Sequence, residues 1–174
     1  MDYRIQKTKR SIYNAFIELR SKKPLEKLTI KELCEKAQIN KSTFYVYYQD
    51  VYDLSDKIED EVISEIMKSL SDTEAILANP ALFSNRLFLA YTSQQSLINI
   101  VFNGSRSDNL PRKIEAAIKD AVFRNYPQYK NNIDFNIHLT YSIYGGFYTY
   151  KEYAQCNDEH IHKIIGELSG KVMN

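Results

Sequence analysis

Apolar residues recur at helical intervals almost from the start of the chain. Ile5, Ile12, Phe16 and Leu19 share one face of a stretch without glycine or proline, which predicts an amphipathic helix from Tyr3 to about Lys22, closed off before Pro24. A shorter helix is expected next. Thr29 has Glu32 three residues on, the spacing of a capping box, and Ile30, Leu33, Cys34 and Ala37 form one apolar stripe ending near Lys36 or Ala37. Gln38, Ile39 and Asn40 make a tight connection in which Ile39 plugs the core and Asn40 caps a third helix from Lys41 to about Tyr48. Phe44 and Tyr48, four apart, pack inward together and leave Lys41, Ser42, Thr43, Tyr45 and Tyr47 over the outer surfaces.

Beyond Asp50 the pattern stays helical. Leu54, Ile58, Val62 and Ile66, broadened by Ile63, Met67 and Leu70, predict a long helix from Tyr52 to Leu70. Asn79-Pro80, Asn103-Gly104-Ser105 and Tyr126-Pro127 punctuate further helices over residues 81–95, 97–102, 111–125, 135–155 and 158–173, the last capped by Asp158. No β-alternation or fixed-period repeat stands out. The chain is therefore predicted to be all-α: a three-helix helix-turn-helix head over residues 1–50 and a helical regulatory and dimerisation body over residues 51–174.

Charge separates the same two parts. The formal net charge is +1, but residues 1–50 hold eleven Lys/Arg against six Asp/Glu and the remainder twelve against sixteen, about +5 and about −4. A basic head attracts the phosphate backbone of double-stranded DNA, and its third helix could place its N-terminal side chains in the major groove, whose width admits one helix. A solvated lysine-rich surface on a generic three-helix unit is the alternative. Only two cysteines occur, Cys34 and Cys156, and the basic start lacks a following apolar segment, so a reduced, cytoplasmic protein without a secretory leader is expected. No apolar run approaches the roughly 20 residues of a membrane-spanning helix, so no membrane partner is expected.

The run TIKELCEKAQINKSTFYVYYQDVYDL, residues 29–54, resembles the DNA-binding head of the TetR family of bacterial transcriptional regulators. Its TFYxxYxD wording is similar to the branch that includes the dihydroxyacetone kinase activator. Ala37, Gln38-Ile39-Asn40, Thr43, Tyr45, Tyr47, Tyr48 and Leu54 hold the places of the family pattern. Gln38 replaces the usual turn glycine, so the turn must avoid a positive φ or accept its cost. Val46 stands where a polar residue is common, and Val51 where a phosphate-contacting lysine is common. The resemblance implies a homodimer on a palindromic operator. Lys41, Thr43, Tyr47 and Lys57, with Lys7, Thr8, Lys9 and Arg10 of the first helix, would engage phosphates, and Ser42, Thr43 and Tyr45 would read bases. A co-regulator of the same fold, gripping another protein without specific DNA binding, is the competing reading, motivated by Val46 and Val51.

The body shows where a second chain would dock. Residues 135–155 carry two apolar stripes, Phe135, Leu139, Ile143 and Phe147 on one and Ile137, Tyr141, Tyr144 and Tyr148 on the other, and Ile161, Ile164, Ile165, Leu168 and Val172 line the last helix. Two stripes imply two neighbours, one the body's own core and the other a second copy across a two-fold axis, with a core helix of a monomer as the alternative. Gly145-Gly146 permits close helix approach. The dimer interface is expected at Ile143, Gly146, Phe147, Ile161, Ile165 and Leu168. The resemblance also implies a small-molecule effector, for which Phe88, Tyr91, Phe102, Phe123, Tyr141 and Tyr144 are candidate pocket walls. His160 and His162 cannot share a helix face, and His138 has no neighbouring ligand cluster. With no glycine-rich phosphate loop, nucleophile elbow or Cys-x-x-Cys, no catalytic residue, metal or cofactor is expected, and Cys34, on the inward stripe, reads as a structural thiol.

Overall fold

The computed structural model describes residues 3–70, 74–154 and 160–173; Cys156 and Asp158 lie outside the described residues. Every regular element among the described residues is helical. In chain order the α-helices are α1 (Tyr3–Arg20), α2 (Ile30–Ala37), α3 (Lys41–Tyr47), α4 (Val51–Ser69), α5 (Glu74–Ala78), α6 (Pro80–Ser93), α7 (Gln95–Val101), α8 (Asn109–Asn125), α9 (Ile133–Tyr153) and α10 (His160–Met173). Residues 1–62 and 96–107 gather into one compact unit, and residues 63–95 and 108–174 into another. No helix among the described residues is long and apolar enough to cross a membrane.

In the first unit, α1 buries Ile12, Ala15 and Phe16 and packs on α2, which packs on α3. The capping box of α2 forms in full: the Thr29 hydroxyl oxygen accepts from the Glu32 N–H at 3.3 Å, and the Glu32 carboxylate accepts from the Thr29 N–H at 3.2 Å. Leu33, Cys34 and Ala37 turn inward. Burial pushes the Cys34 thiol above its ordinary pKa. Asn40 occupies the N-cap position of α3 but makes no side-chain capping bond, and Ile39 is only half-buried, so both contribute less than expected. At α4 the capping is again local. The Asp50 carboxylate accepts from the Asp53 N–H at 2.8 Å, while the Asp53 carboxylate accepts from the Gln49 N–H at 2.9 Å.

Gln38 adopts φ +55° and ψ +46°, the left-handed conformation that closes α2, with its N–H donating to the carbonyls of Cys34 and Glu35. The turn therefore accepts the cost of a side chain where glycine is unstrained. Gln38→Gly is expected to stabilise this unit by about 0.5–1 kcal/mol, the relieved strain being partly offset by glycine's larger unfolded-state entropy. A urea midpoint that falls instead would show that the Gln38 side chain contributes more than its backbone costs.

Charged groups tie the two sequence segments of this unit together. Arg20, 2% exposed, donates to the Lys23 carbonyl at 3.1 Å and, through its other terminal nitrogen, to the Asn103 carbonyl at 3.2 Å and Asn103 Oδ1 at 2.5 Å. Arg106, in the 3-10 turn Gly104–Arg106, donates to both carboxylate oxygens of fully buried Glu59, at 2.6 and 3.0 Å, and to Asp56. The Ser55 hydroxyl also donates to Glu59, at 3.1 Å. Bidentate pairing of this kind compensates the removal of a carboxylate from water.

The second unit is built on close helix contacts. Asn79 caps α6 by accepting from the Leu82 N–H, with Pro80 at the first helical position, so the break expected at this dipeptide separates α5 from α6, and the helix begins one residue earlier than expected. α10 packs on both α6 and α9, and α8 packs on α9. Glycines set the α6–α10 distance. A Cβ at Gly166 would fall 2.6 Å from Asn85 Oδ1 and 3.1 Å from the Ala81 carbonyl, and one at Gly170 would fall 3.2 Å from Ala81 Cβ.

Candidate nucleic-acid interface and interior cavity

The outer face of α3 is set by what its inner face buries. Phe44 is completely buried, Tyr48 nearly so, and their rings lie 5.5 Å apart. The intervening turn therefore presents Lys41, Ser42, Tyr45 and Val46 to solvent, with Thr43 and Tyr47 half-buried at the flank. Thr43 and Tyr47 share a groove with Arg4, Thr8, Gln38 and Asn40, which brings the first half of α1 alongside α3. Lys9 lies 5.8 Å from the centre of the Tyr47 ring, within cation–π range. The Thr8 hydroxyl is turned back to the Arg4 carbonyl at 2.9 Å. Arg4 was not among the residues expected here; no motif singles it out, and only packing brings it to the groove, whereas Asn40 belongs to the turn that the sequence marks.

Pairing decides which cations face outward unneutralised. Lys22 and Lys36 meet Glu18, Lys23 meets Glu32, and Lys57 meets Asp53 at 2.9 Å. Lys57 also donates to the Tyr47 carbonyl at 3.0 Å and lies 5.1 Å from the Tyr48 ring centre, so it braces the end of α3. Lys7, Lys9, Arg10 and Lys41 are exposed and have no carboxylate partner among the described residues. With Lys27, which is exposed and likewise has no carboxylate partner among the described residues, these are cations of the first unit left for an anionic ligand. Val46 is 73% exposed, whereas Val51 is buried at the start of α4, so a lysine at 51 would have to leave the core to reach phosphate.

Two capping carboxylates give this unit an acid sensitivity. Hydrogen bonds from Lys57 and then from the Gln49 N–H hold Asp53 below the ordinary carboxylate pKa, and bonds from Lys23 and then Thr29 do the same for Glu32. Because the folded values are depressed, their contribution is complete above the unfolded carboxylate range, about pH 4, and is lost as pH falls through the folded values. Below about pH 4 an Asp53→Asn, Glu32→Gln variant is therefore expected to unfold with a shallower pH dependence than the parent, measured by circular dichroism. Superimposable acid profiles would remove these two groups from the account. Tyr48 lies at the other end of the scale, pushed up to about 12 by burial first and by Glu61, Asp53 and Tyr47 after it. It stays a neutral phenol throughout.

The second unit holds a partly open cavity of about 70 Å³ between α5, α6, α8, α9 and α10. Phe88 and Tyr91 line it, as expected. Phe102 is buried in the first unit, Tyr141 is 68% exposed, and Phe123 and Tyr144 are half-buried outside the lining. Serines were not anticipated: Ser84, Ser142 and Ser169 all reach the wall. No aromatic or charge pattern marks them.

No protein-family model matches the chain, and neither a curated protein nor a solved structure is significantly similar to it. The residues themselves must carry the reading. Among the described residues no cluster of three His, Cys, Asp or Glu side chains is placed to hold a metal ion.

The six residues expected at a dimer interface divide. Ile143, Gly146 and Phe147 line the interior cavity, and buried Ile165 lies against Gly146, where an added Cβ would be 3.2 Å from Ile165 Cγ2. These four serve their own unit because α10 lies against that face of α9. Ile161 is half-buried and Leu168 is 52% exposed. Ile137 and Tyr141 on α9 and Ile164 and Leu168 on α10 are among the exposed apolar residues of this unit.

Proposed function

We propose that the chain is a homodimeric, sequence-specific DNA-binding transcriptional regulator of TetR type, with a small-molecule effector acting on its second unit. The observation that carries the reading is the outer face of α3. It combines Ser42, Thr43 and Tyr45 with Lys41, and Lys9 of α1 lies at the Tyr47 ring beside it; neither cation has a carboxylate partner among the described residues. α2 and α3 act as a helix-turn-helix head. Inserted into a major groove, α3 offers hydroxyl groups to base edges, while Lys41, Tyr47, Thr8 and Lys9 meet the flanking phosphates. Lys57 acts mainly by holding the end of α3, since it is already bonded to Tyr47 and Asp53.

One such short helix reads little sequence. Two heads held about 34–36 Å apart read both halves of a palindrome and gain affinity through effective concentration. The exposed surface at Ile137, Tyr141, Ile164 and Leu168 is the face that a second copy would cover. An effector that binds better to one head spacing than the other shifts DNA affinity by that difference.

Selection of bound oligonucleotides from a random pool, followed by mobility-shift titration at several salt concentrations, tests the reading. The expected result is enrichment of a palindrome whose affinity falls steeply with salt, with Lys41→Ala lowering the salt slope by about one counterion. Binding to neither selected nor random DNA at low salt would overturn it. The exposure of Val46 favours a second reading, in which the same face grips a protein partner. Unchanged DNA affinity in both Lys41→Ala and Tyr47→Ala would favour that co-regulator.

A further inference from the structure

Among the described residues, the lining of the interior cavity contains no Asp, Glu, Lys, Arg or His side chain. Its body is hydrocarbon, with Ile76, Phe83, Ile114, Ile118 and Leu139 all nearly or fully buried. An ionised ligand would be stripped of water with no countercharge to meet it, which costs several kcal/mol. Neutral molecules face no such barrier.

Polarity enters at the serines. The Ser84 and Ser169 hydroxyls are 3.4 Å apart and bond each other. The Ser142 hydroxyl oxygen is buried without a hydrogen-bond partner among the described residues. A hydroxyl on an α-helix ordinarily finds the carbonyl one turn back or water, so an unmet one on an apolar wall is a standing cost that a ligand can relieve. The volume of about 70 Å³ is well under the roughly 150 Å³ of an apolar cavity that admits benzene. That favours a short aliphatic molecule over a fused ring system. Met173 closes part of the wall and can adjust to its outline.

We propose that this cavity binds a small, uncharged, mainly aliphatic molecule whose single hydroxyl or carbonyl group hydrogen-bonds Ser142. Its role as effector rests on the regulator reading above; the binding step does not.

The test uses the full chain without DNA, titrated with 1-butanol and, separately, with butyrate at pH 7, following the methyl resonances of Ile114, Ile118 and Leu139 by NMR. Saturable shifts are expected with 1-butanol and none with butyrate. Ser142→Ala should weaken 1-butanol binding about two- to tenfold, the loss of one neutral hydrogen bond. Ile118→Phe, which fills the cavity, should abolish it; Ser142→Ala carries the test should that variant fail to fold. Non-saturating shifts, equal binding of butyrate, or unchanged affinity in Ser142→Ala would each overturn the proposal. Because no DNA is present, a failed mobility shift with saturable butanol binding removes the regulator reading alone.

Discussion

Arg106→Met is expected to destabilise the first unit by about 3–5 kcal/mol, because it removes the bidentate cationic partner of a carboxylate that water cannot reach. Glu59 is fully buried, and two of the hydrogen bonds that compensate it come from the Arg106 guanidinium. Methionine fills much of the same volume, so lost packing contributes little. The Ser55 hydroxyl offers a neutral hydrogen bond where Arg106 supplied two charged ones. Urea denaturation should show the loss as a lower midpoint, and adding Glu59→Gln should restore part of it, because the group left behind is then neutral. A midpoint change equivalent to less than about 1 kcal/mol, or a double variant weaker than the sum of the singles, would mean that the pair does not bind these segments.

Phe44→Ala should cost a comparable amount, about 3–5 kcal/mol, through a cavity at the centre of the first unit. Phe44 is completely buried, and its ring meets Tyr48 at 5.5 Å and Tyr45 edge-on at 5.8 Å. It therefore fixes the rotation of α3 as well as its attachment. Phe44→Leu separates the two effects. It keeps most of the buried volume, at a cost of about 1–1.5 kcal/mol, yet removes the ring that Tyr45 leans on. On the proposed function, Phe44→Leu should lower affinity for a selected palindrome more than affinity for random DNA. Equal losses on both would mean that α3 contributes only charge.

Features written within a few residues were legible from sequence, and features made by distant segments were not. The box at Thr29 and Glu32 needs only the four positions it spans, and the inward pair of Phe44 and Tyr48 needs only one helical turn. Arg106 and Glu59 are 47 positions apart, so no periodicity brings them together. On α9 both stripes are apolar, and hydrophobicity alone does not say which one faces inward. The choice is made by α10, whose Ile165 sits against Gly146. Aromatic residues were sought as pocket walls, but Phe102 was drawn into the other unit with residues 96–107, a grouping that depends on the pairing of Arg20 with Asn103 and of Arg106 with α4. The serines that give the cavity its polar point have no signature in spacing or composition.

The burial of Cys34 has an experimental use. Only the thiolate reacts with a disulfide reagent, and this thiol is both 5% exposed and raised in pKa, so it must wait for α2 to detach before it can be labelled. With Cys156 replaced by serine, the labelling rate becomes a stopwatch for opening of the segment that carries the Gln38 turn. Bound DNA, if it clamps α3, should slow that clock without any probe being attached to the protein.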